Sequence, residues 1–341
     1  MHPTLAAQQA RAAALLPADV RGFYAAGAGE QLTADEAEGA WRSLRLRPHV
    51  LRDVSTVDTS LGLLGTRLAT PVLAGPTALH GAAHPDGEAE TARGAAAAGS
   101  LLVVSTRASR RLEQVPAGPW WFQAYVMRDR GLTRALVQRA AAAGAGAVVL
   151  TGDVPYLGRR PGAARTELPG DPLVNLAQHL TAGEHGGRST EQDPGTGLEA
   201  VEQLAQASGL PVLVKGVLRA DDALACLEAG AAGVVVSNHG GRQLDRAVST
   251  AAALAEVADA VAGRGPVLVD GGLRSGLDVL CALALGADAV LLGRPVLWGL
   301  AADGAAGVRG CLEALTEDLA HVMGLAGARS LDEITRDLVA P

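Results

Sequence analysis

PVLVKGVLRADDALACLEAGAAGVVVSNHGG, residues Pro211–Gly241, holds one complete unit of the pattern that runs through the chain. PVLVKG is a short aliphatic run ending in a lysine and a glycine. GVVVSNHGG is another, ending in polar residues and glycines. Continuous apolar runs of this length mark strands buried on both faces, as in a parallel sheet. The stretch between them, Ala220–Ala229, has the alanine-rich composition of a crossover helix.

The same unit recurs on both sides. Eight strand-like runs can be read: Pro71–Ala78, Leu101–Thr106, Trp120–Tyr125, Ala147–Asp153, Pro211–Gly216, Gly233–Gly241, Pro266–Gly272 and Ala289–Arg294. Helical stretches such as Thr133–Ala143 and Ser275–Leu285 follow them. Eight β/α units predict a (β/α)8 TIM barrel, one α/β domain spanning residues 1–341. The barrel is expected over 71–325, after a helical and irregular lead-in over 1–70. About 60 residues separate the fourth and fifth strands, far more than a connection needs. That stretch, residues 161–197, is expected to form a mobile lid loop.

Composition narrows the function classes. The 341 residues are 48% hydrophobic and only 3% aromatic, so the core is expected to be aliphatic. The net charge is −7, with no basic stripe to suggest nucleic acid. Cys226, Cys281 and Cys311 lie far apart in apolar contexts and read as reduced core thiols, with no metal-ligand spacing. The apolar stretch Ala12–Leu16 is too short for a signal sequence, and no window suits a membrane span. A cytoplasmic protein is expected.

The polar residues fall just after the strands, where a barrel builds its site. DGGLRSG (Asp270–Gly276) and GRP (Gly293–Pro295) end the last two strands. Their glycines open backbone N–H groups to a phosphate, and Arg274 and Arg294 add charge. In SNHGGRQLD (Ser237–Asp245), His239 is a candidate base near neutral pH, and Arg242 a candidate partner for a carboxylate. Lys215 lies between apolar flanks, which argues against a surface charge.

On these motifs the chain resembles the FMN-dependent 2-hydroxy acid oxidase and dehydrogenase family. SNHGGRQLD is specific to it, and HPDGE (His84–Glu88), WFQAY (Trp121–Tyr125), LTGDVP (Leu150–Pro155), LGRR (Leu157–Arg160) and VKG (Val214–Gly216) also match. The run RLRPHVLRDVSTVDTS (Arg45–Ser60) is closest in style to hydroxymandelate-oxidase-like bacterial members. The resemblance implies FMN as cofactor and oxidation of an (S)-2-hydroxy acid to a 2-oxo acid. It also implies O2 as acceptor with release of H2O2, and a homotetramer.

Site roles follow from the resemblance. Pro76, Thr77 and Ala78 would pack along the flavin, and Ser105, Gln123 and Thr151 would bond its ring edge. Lys215 and Ser237 would also lie at the cofactor. Asp270, Gly272, Arg274, Gly293 and Arg294 would hold its ribityl chain and phosphate. His239 would be the base, oriented by Asp153. Arg160 and Arg242 would bind the substrate carboxylate, and Tyr125 its hydroxyl. Removal of the hydroxyl proton or of the Cα proton both remain open.

Two departures bear on the substrate. Phe23 stands where relatives carry a carboxylate-binding tyrosine, with Tyr24 one position later. After Arg160, Ala163 and Thr166 replace an Asp and an Asn. Phe23 would favour a larger or aryl, mandelate-like side chain. Three alternatives stay open: oxidative decarboxylation, a carrier- or peptide-derived hydroxy acid, and a non-redox phosphate-binding isomerase.

Overall fold

The computed structural model describes residues 1–115, 118–161, 169–177 and 188–340. The barrel strands are β3 (Val72–Ala74), β4 (Leu102–Ser105), β5 (Trp120–Ala124), β6 (Val148–Thr151), β7 (Val212–Val217), β8 (Gly233–Val236), β9 (Val267–Asp270) and β10 (Ala289–Leu292). They close in chain order, with β10 pairing back onto β3, and every pair is parallel. Each of the eight apolar runs is thus a barrel strand.

Alternation along these strands divides the core in two. Leu73, Val103, Trp121, Val149, Leu213, Val235, Leu268 and Leu291 fill the barrel interior. Their neighbours, such as Val104, Phe122, Val148, Val234 and Val290, pack outward against the helices. Successive strand residues point to opposite faces, so one aliphatic run supplies both layers.

The crossover helices are α4 (Gly87–Ala97), α5 (Arg130–Ala142), α6 (Glu199–Ser208), α7 (Ala220–Glu228), α8 (Thr250–Val261), α9 (Gly276–Ala284) and α10 (Arg294–Ala326). One expected helix is missing. Between β4 and β5 the described residues form a 3-10 turn at Leu112–Gln114 and no α-helix. Helix α10 breaks at Asp303 and Gly304, where the Glu90 carboxylate accepts from the Ala305 N–H at 2.6 Å and restarts the helix.

The lead-in is more ordered than expected. It contains α1 (Pro3–Leu15), α2 (Ala18–Ala25), α3 (Leu32–Ser43) and a hairpin of β1 (Leu61–Leu63) and β2 (Thr66–Leu68). Leu63 and Leu68 of the hairpin join the interior cluster. A closed barrel needs such a stopper at the end away from its site. Helix α1 packs along α10, and Tyr24 meets Trp298 edge to face at 6.1 Å.

The flanks of the expected lid are packed. Asn175 is buried, accepts from the Leu112 N–H at 3.0 Å and donates to the Arg110 carbonyl at 2.9 Å. Leu176 is fully buried, and Gln192 bridges to Met127. Ala163 and Thr166, and the middle of the expected mobile loop, lie outside the described residues.

Candidate active site

A cavity of about 460 Å³ opens at the carboxyl ends of the strands. Every barrel strand or the loop after it contributes a wall residue. They include Pro76, Thr77 and Ala78 after β3, Ser105 of β4, Gln123 and Tyr125 at β5, and Thr151 of β6. Lys215 of β7, His239 and Arg242 after β8, Asp270 and Gly272 at β9, and Gly293 and Arg294 at β10 complete the ring, with Arg274, Arg160 and Phe23. Two of the expected residues, Asp153 and Ser237, stand behind this wall.

Asp153 faces His239. Its two carboxylate oxygens lie 3.1 and 3.2 Å from Nδ1. Burial works against ionising Asp153, but His239 and Lys215 outweigh it and hold the carboxyl below its usual range. An ionised Asp153 keeps the proton on Nδ1 and leaves Nε2 as an acceptor.

Ser237 is fully buried. Its hydroxyl oxygen accepts from Lys215 Nζ at 2.6 Å and from the His239 backbone N–H at 3.0 Å. It ties two functional side chains together from behind, which is why it does not reach the cavity. Lys215 also pairs with Asp270 at 3.1 Å. Burial disfavours its charge, yet Asp270 and Asp153 raise its pKa above the ordinary value. A bulge in β7 between Lys215 and Val217 sets the lysine's direction. Gly216 makes it with φ 108°, and a Cβ there would lie 2.5 Å from that of Asp153.

The rest of SNHGGRQLD fastens the lead-in to the mouth. Arg242 donates from one guanidinium nitrogen to the carbonyls of Phe23, Tyr24 and Ala26 at 2.9–3.0 Å. Gln243 donates to the Asp153 and Tyr156 carbonyls at 3.0 and 2.9 Å. The Asp245 carboxylate accepts from the Glu30 and Thr33 N–H groups at 2.8 and 3.0 Å, capping α3.

Cations crowd the cavity. Arg160 and Arg242 sit 5.7 and 5.4 Å from the centre of the Phe23 ring, close enough for cation–π attraction. Burial, then Arg160 and Arg294, pushes the Arg242 pKa down to about 9. Arg294 is pushed down to about 10 by burial and then Arg274. A guanidinium stays charged at neutral pH, so these shifts reflect burial first and neighbouring cations second. Tyr24 also lines the cavity, but its hydroxyl donates to the Leu79 carbonyl at 2.5 Å and the side chain is buried.

Sequence reading missed several wall residues. Arg107, two positions beyond Ser105, lines the cavity and donates to the Thr190 carbonyl at 2.5 Å. Its place just past a strand end was the signal. Leu79, Val154 and Leu157 add apolar wall, and their distance from the strand ends hid them.

The residues suit a flavin mononucleotide. Ser105 donates to Gln123 at 3.1 Å and Gln123 donates to Thr151 at 2.9 Å, a polar row for a ring edge. Asp270 Oδ1 is buried without a partner among the described residues, as an acceptor awaiting a hydroxyl would be. Gly293 begins α10 without a side-chain cap, beside Arg294, so N–H groups and a helix dipole face the cavity. Fold and site together define a flavin-dependent oxidoreductase barrel.

A family model described as FMN-dependent dehydrogenase matches residues 12–341, and the chain belongs to that family. Its cofactor is FMN. An L-lactate oxidase of a Nostoc species is 43% identical over 331 residues, covering 92% of this chain and 91% of the relative. A peroxisomal (S)-2-hydroxy-acid oxidase of Oryza sativa subsp. japonica is 43% identical, covering 95% and 92%. Among solved structures, a mandelate oxidase aligns with TM-score 0.91 at 41% identity, covering 98% of this chain and 97% of that one. A mandelate oxidase with (S)-4-hydroxymandelic acid aligns with TM-score 0.90 at 40% identity, covering 98% of each chain.

Proposed function

We propose that this protein oxidises (S)-2-hydroxy acids with an aryl or similarly bulky side chain to 2-oxo acids, passing the electrons to O2 and forming H2O2. It is an FMN-dependent 2-hydroxy-acid oxidase, and the aryl preference is the finer part of the reading. One observation carries that preference: Phe23 and the apolar Leu79, Val154 and Leu157 line the cavity, while the Tyr24 hydroxyl is taken up by the Leu79 carbonyl. The solved mandelate oxidases support the same substrate class.

Arg160 and Arg242 hold the substrate carboxylate, whose charge relieves their mutual repulsion. Tyr125, whose pKa burial raises, stays protonated and hydrogen-bonds the substrate hydroxyl. His239 takes a proton at Nε2, and Asp153 stabilises the imidazolium that results. Pro76, Thr77, Ala78, Ser105, Gln123 and Thr151 would hold the FMN ring, with Asp270, Gly272, Arg274, Gly293 and Arg294 at its tail. Bound FMN supplies the two-electron acceptor. Lys215, kept charged by Asp270 and Asp153, stabilises negative charge that develops beside it.

The test is anaerobic mixing of the yellow holoenzyme with glycolate, lactate, mandelate and 4-hydroxymandelate while flavin absorbance is followed. Bleaching is expected with the (S)-acids, fastest with the aryl ones. Equal rates for glycolate and mandelate would overturn the aryl preference, and no bleaching with any acid would overturn the activity. Analysis of the aerobic product separates the oxo acid from a decarboxylated acid.

No helix among the described residues is long and apolar enough to cross a membrane. A cytoplasmic homotetramer completes the proposal, checked by cell fractionation and by sedimentation of the holoenzyme.

A further inference from the structure

A second cavity, of about 320 Å³, lies between β6, β7 and the helices α6 and α7. Tyr125, Thr151, Val154, Gln192 and Lys215 line both this cavity and the active site, so a single layer of residues divides them. Its depths are apolar: Leu150, Val201, Val214, Val217 and Cys226 are all buried. Its rim is exposed at Leu198 and Asp222. None of the chemistry described above uses it.

We propose that this cavity is the entry port for O2, a reading that rests on O2 being the acceptor. The main mouth is built for an anion, and an acid or its oxo product sitting between Arg160 and Arg242 obstructs it. A small molecule that must arrive while the product is still bound needs another way in. Dioxygen is apolar and leaves water for apolar surface. A void with apolar inner walls receives it without stripping hydrogen bonds from ordered water. The port ends at Lys215, which lines both cavities and whose buried ammonium, held by Ser237 and Asp270, favours the negative charge that O2 acquires on reduction. The overall reaction, R–CH(OH)–COO⁻ + O2 → R–CO–COO⁻ + H2O2, balances with no further reactant: O2 takes the two electrons and two protons that the acid loses.

Ala225 on α7 lines the cavity, and Ala225→Leu replaces its methyl with an isobutyl group, whereas Ala225→Ser leaves the cavity open. Xenon, an apolar probe, is expected to occupy the cavity in pressurised crystals of the wild-type holoenzyme and the serine variant, and to be absent from the leucine variant. In stopped flow, reoxidation of the substrate-reduced leucine variant by O2 is expected to slow by about tenfold, the equivalent of one decade in rate. Its anaerobic bleaching by the acid should keep the wild-type rate. Val201→Met blocks the cavity from the α6 side should the leucine variant not fold. A wild-type cavity without xenon, or full O2 reactivity in a variant that excludes xenon, overturns the proposal. Failure of every 2-hydroxy acid to bleach the flavin would strike the proposed activity instead, and reoxidation by O2 of the chemically reduced holoenzyme and its leucine variant would still decide the port.

Discussion

Replacing Asp153 with Asn tests the base assignment most directly. The carboxylate meets His239 Nδ1 at 3.1 and 3.2 Å, and its side chain is only 16% exposed. Asn keeps the shape and removes the charge. A hydrogen bond to a charged group contributes about 1.5–3 kcal/mol, and about 1.4 kcal/mol is a tenfold change in rate. If loss of that charged hydrogen bond to His239 were the whole effect, the limiting rate of flavin bleaching should fall about 10- to 150-fold. The amide can also turn its N–H toward Nδ1. That would move the imidazole proton to Nε2 and take away the acceptor, a switch that costs up to about 10⁴-fold in a Ser-His-Asp triad.

The expected result is therefore a loss of at least tenfold in the bleaching rate at saturating acid, measured anaerobically by stopped flow. The substrate concentration at half-maximal rate should barely move, because Arg160 and Arg242 make no contact with Asp153 among the described residues. Backbone order should survive, since Gln243 holds the Asp153 carbonyl, not its carboxylate. A variant bleaching within twofold of wild type, with flavin fully bound, would refute the idea that Asp153 arms His239.

The remaining predictions are shorter. Arg242→Lys loses the planar fork for a carboxylate, so KM should rise about 10- to 100-fold with a smaller change in kcat, by steady-state O2 uptake; an unchanged KM would remove Arg242 from the clamp. Phe23→Tyr offers a new hydroxyl beside Arg160 and Arg242, and should lower KM for lactate by about tenfold, the worth of one hydrogen bond to a charged group; no gain would place the ring away from the carboxylate. Gly272→Ala forces a Cβ to within 2.3 Å of the Ala37 carbonyl oxygen at φ 87°, costing at least about 2 kcal/mol, and should lower the melting temperature and shed FMN. Asp153 has a depressed pKa in the fold, so its stabilisation is complete above the unfolded value of about 4 and lost as pH falls through the folded one. Denaturant midpoints between pH 5 and pH 2 should fall more steeply for wild type than for Asp153→Asn; parallel curves would contradict the depressed pKa.

The barrel was legible because its strands are buried on both faces. An aliphatic run such as GVVV cannot belong to a half-solvated sheet, so each run announced a strand and each run's end announced a wall residue. What stayed hidden depends on contacts that no local pattern encodes. The β1–β2 hairpin is two three-residue strands, too short for period-2 alternation to register, and only the open end of the barrel explains Leu63 and Leu68. The docking of Asn175 is likewise fixed by partners more than 60 positions away in sequence. The resemblance places Ser237 at the cofactor, yet its hydroxyl does not line the cavity. The chain turns so sharply at Ser237–His239, with His239 at φ 58°, that the hydroxyl points back to Lys215.

That turn explains why one nine-residue segment accompanies the chemistry. Ser237 fixes Lys215 and His239 with a single oxygen, Arg242 and Asp245 clamp the lead-in, and Gln243 braces the Asp153 loop. His239, Lys215 and the lead-in edge of the cavity are thus held by one piece of backbone. Specificity is then free to vary where this piece only touches the lead-in. Phe23 is held there by its own carbonyl, through Arg242, while its ring remains exchangeable. On the proposed reading, a substitution at position 23 is expected to change what the pocket prefers without loosening the Arg242 clamp, so substrate range can shift while His239, Lys215 and Asp153 keep their geometry.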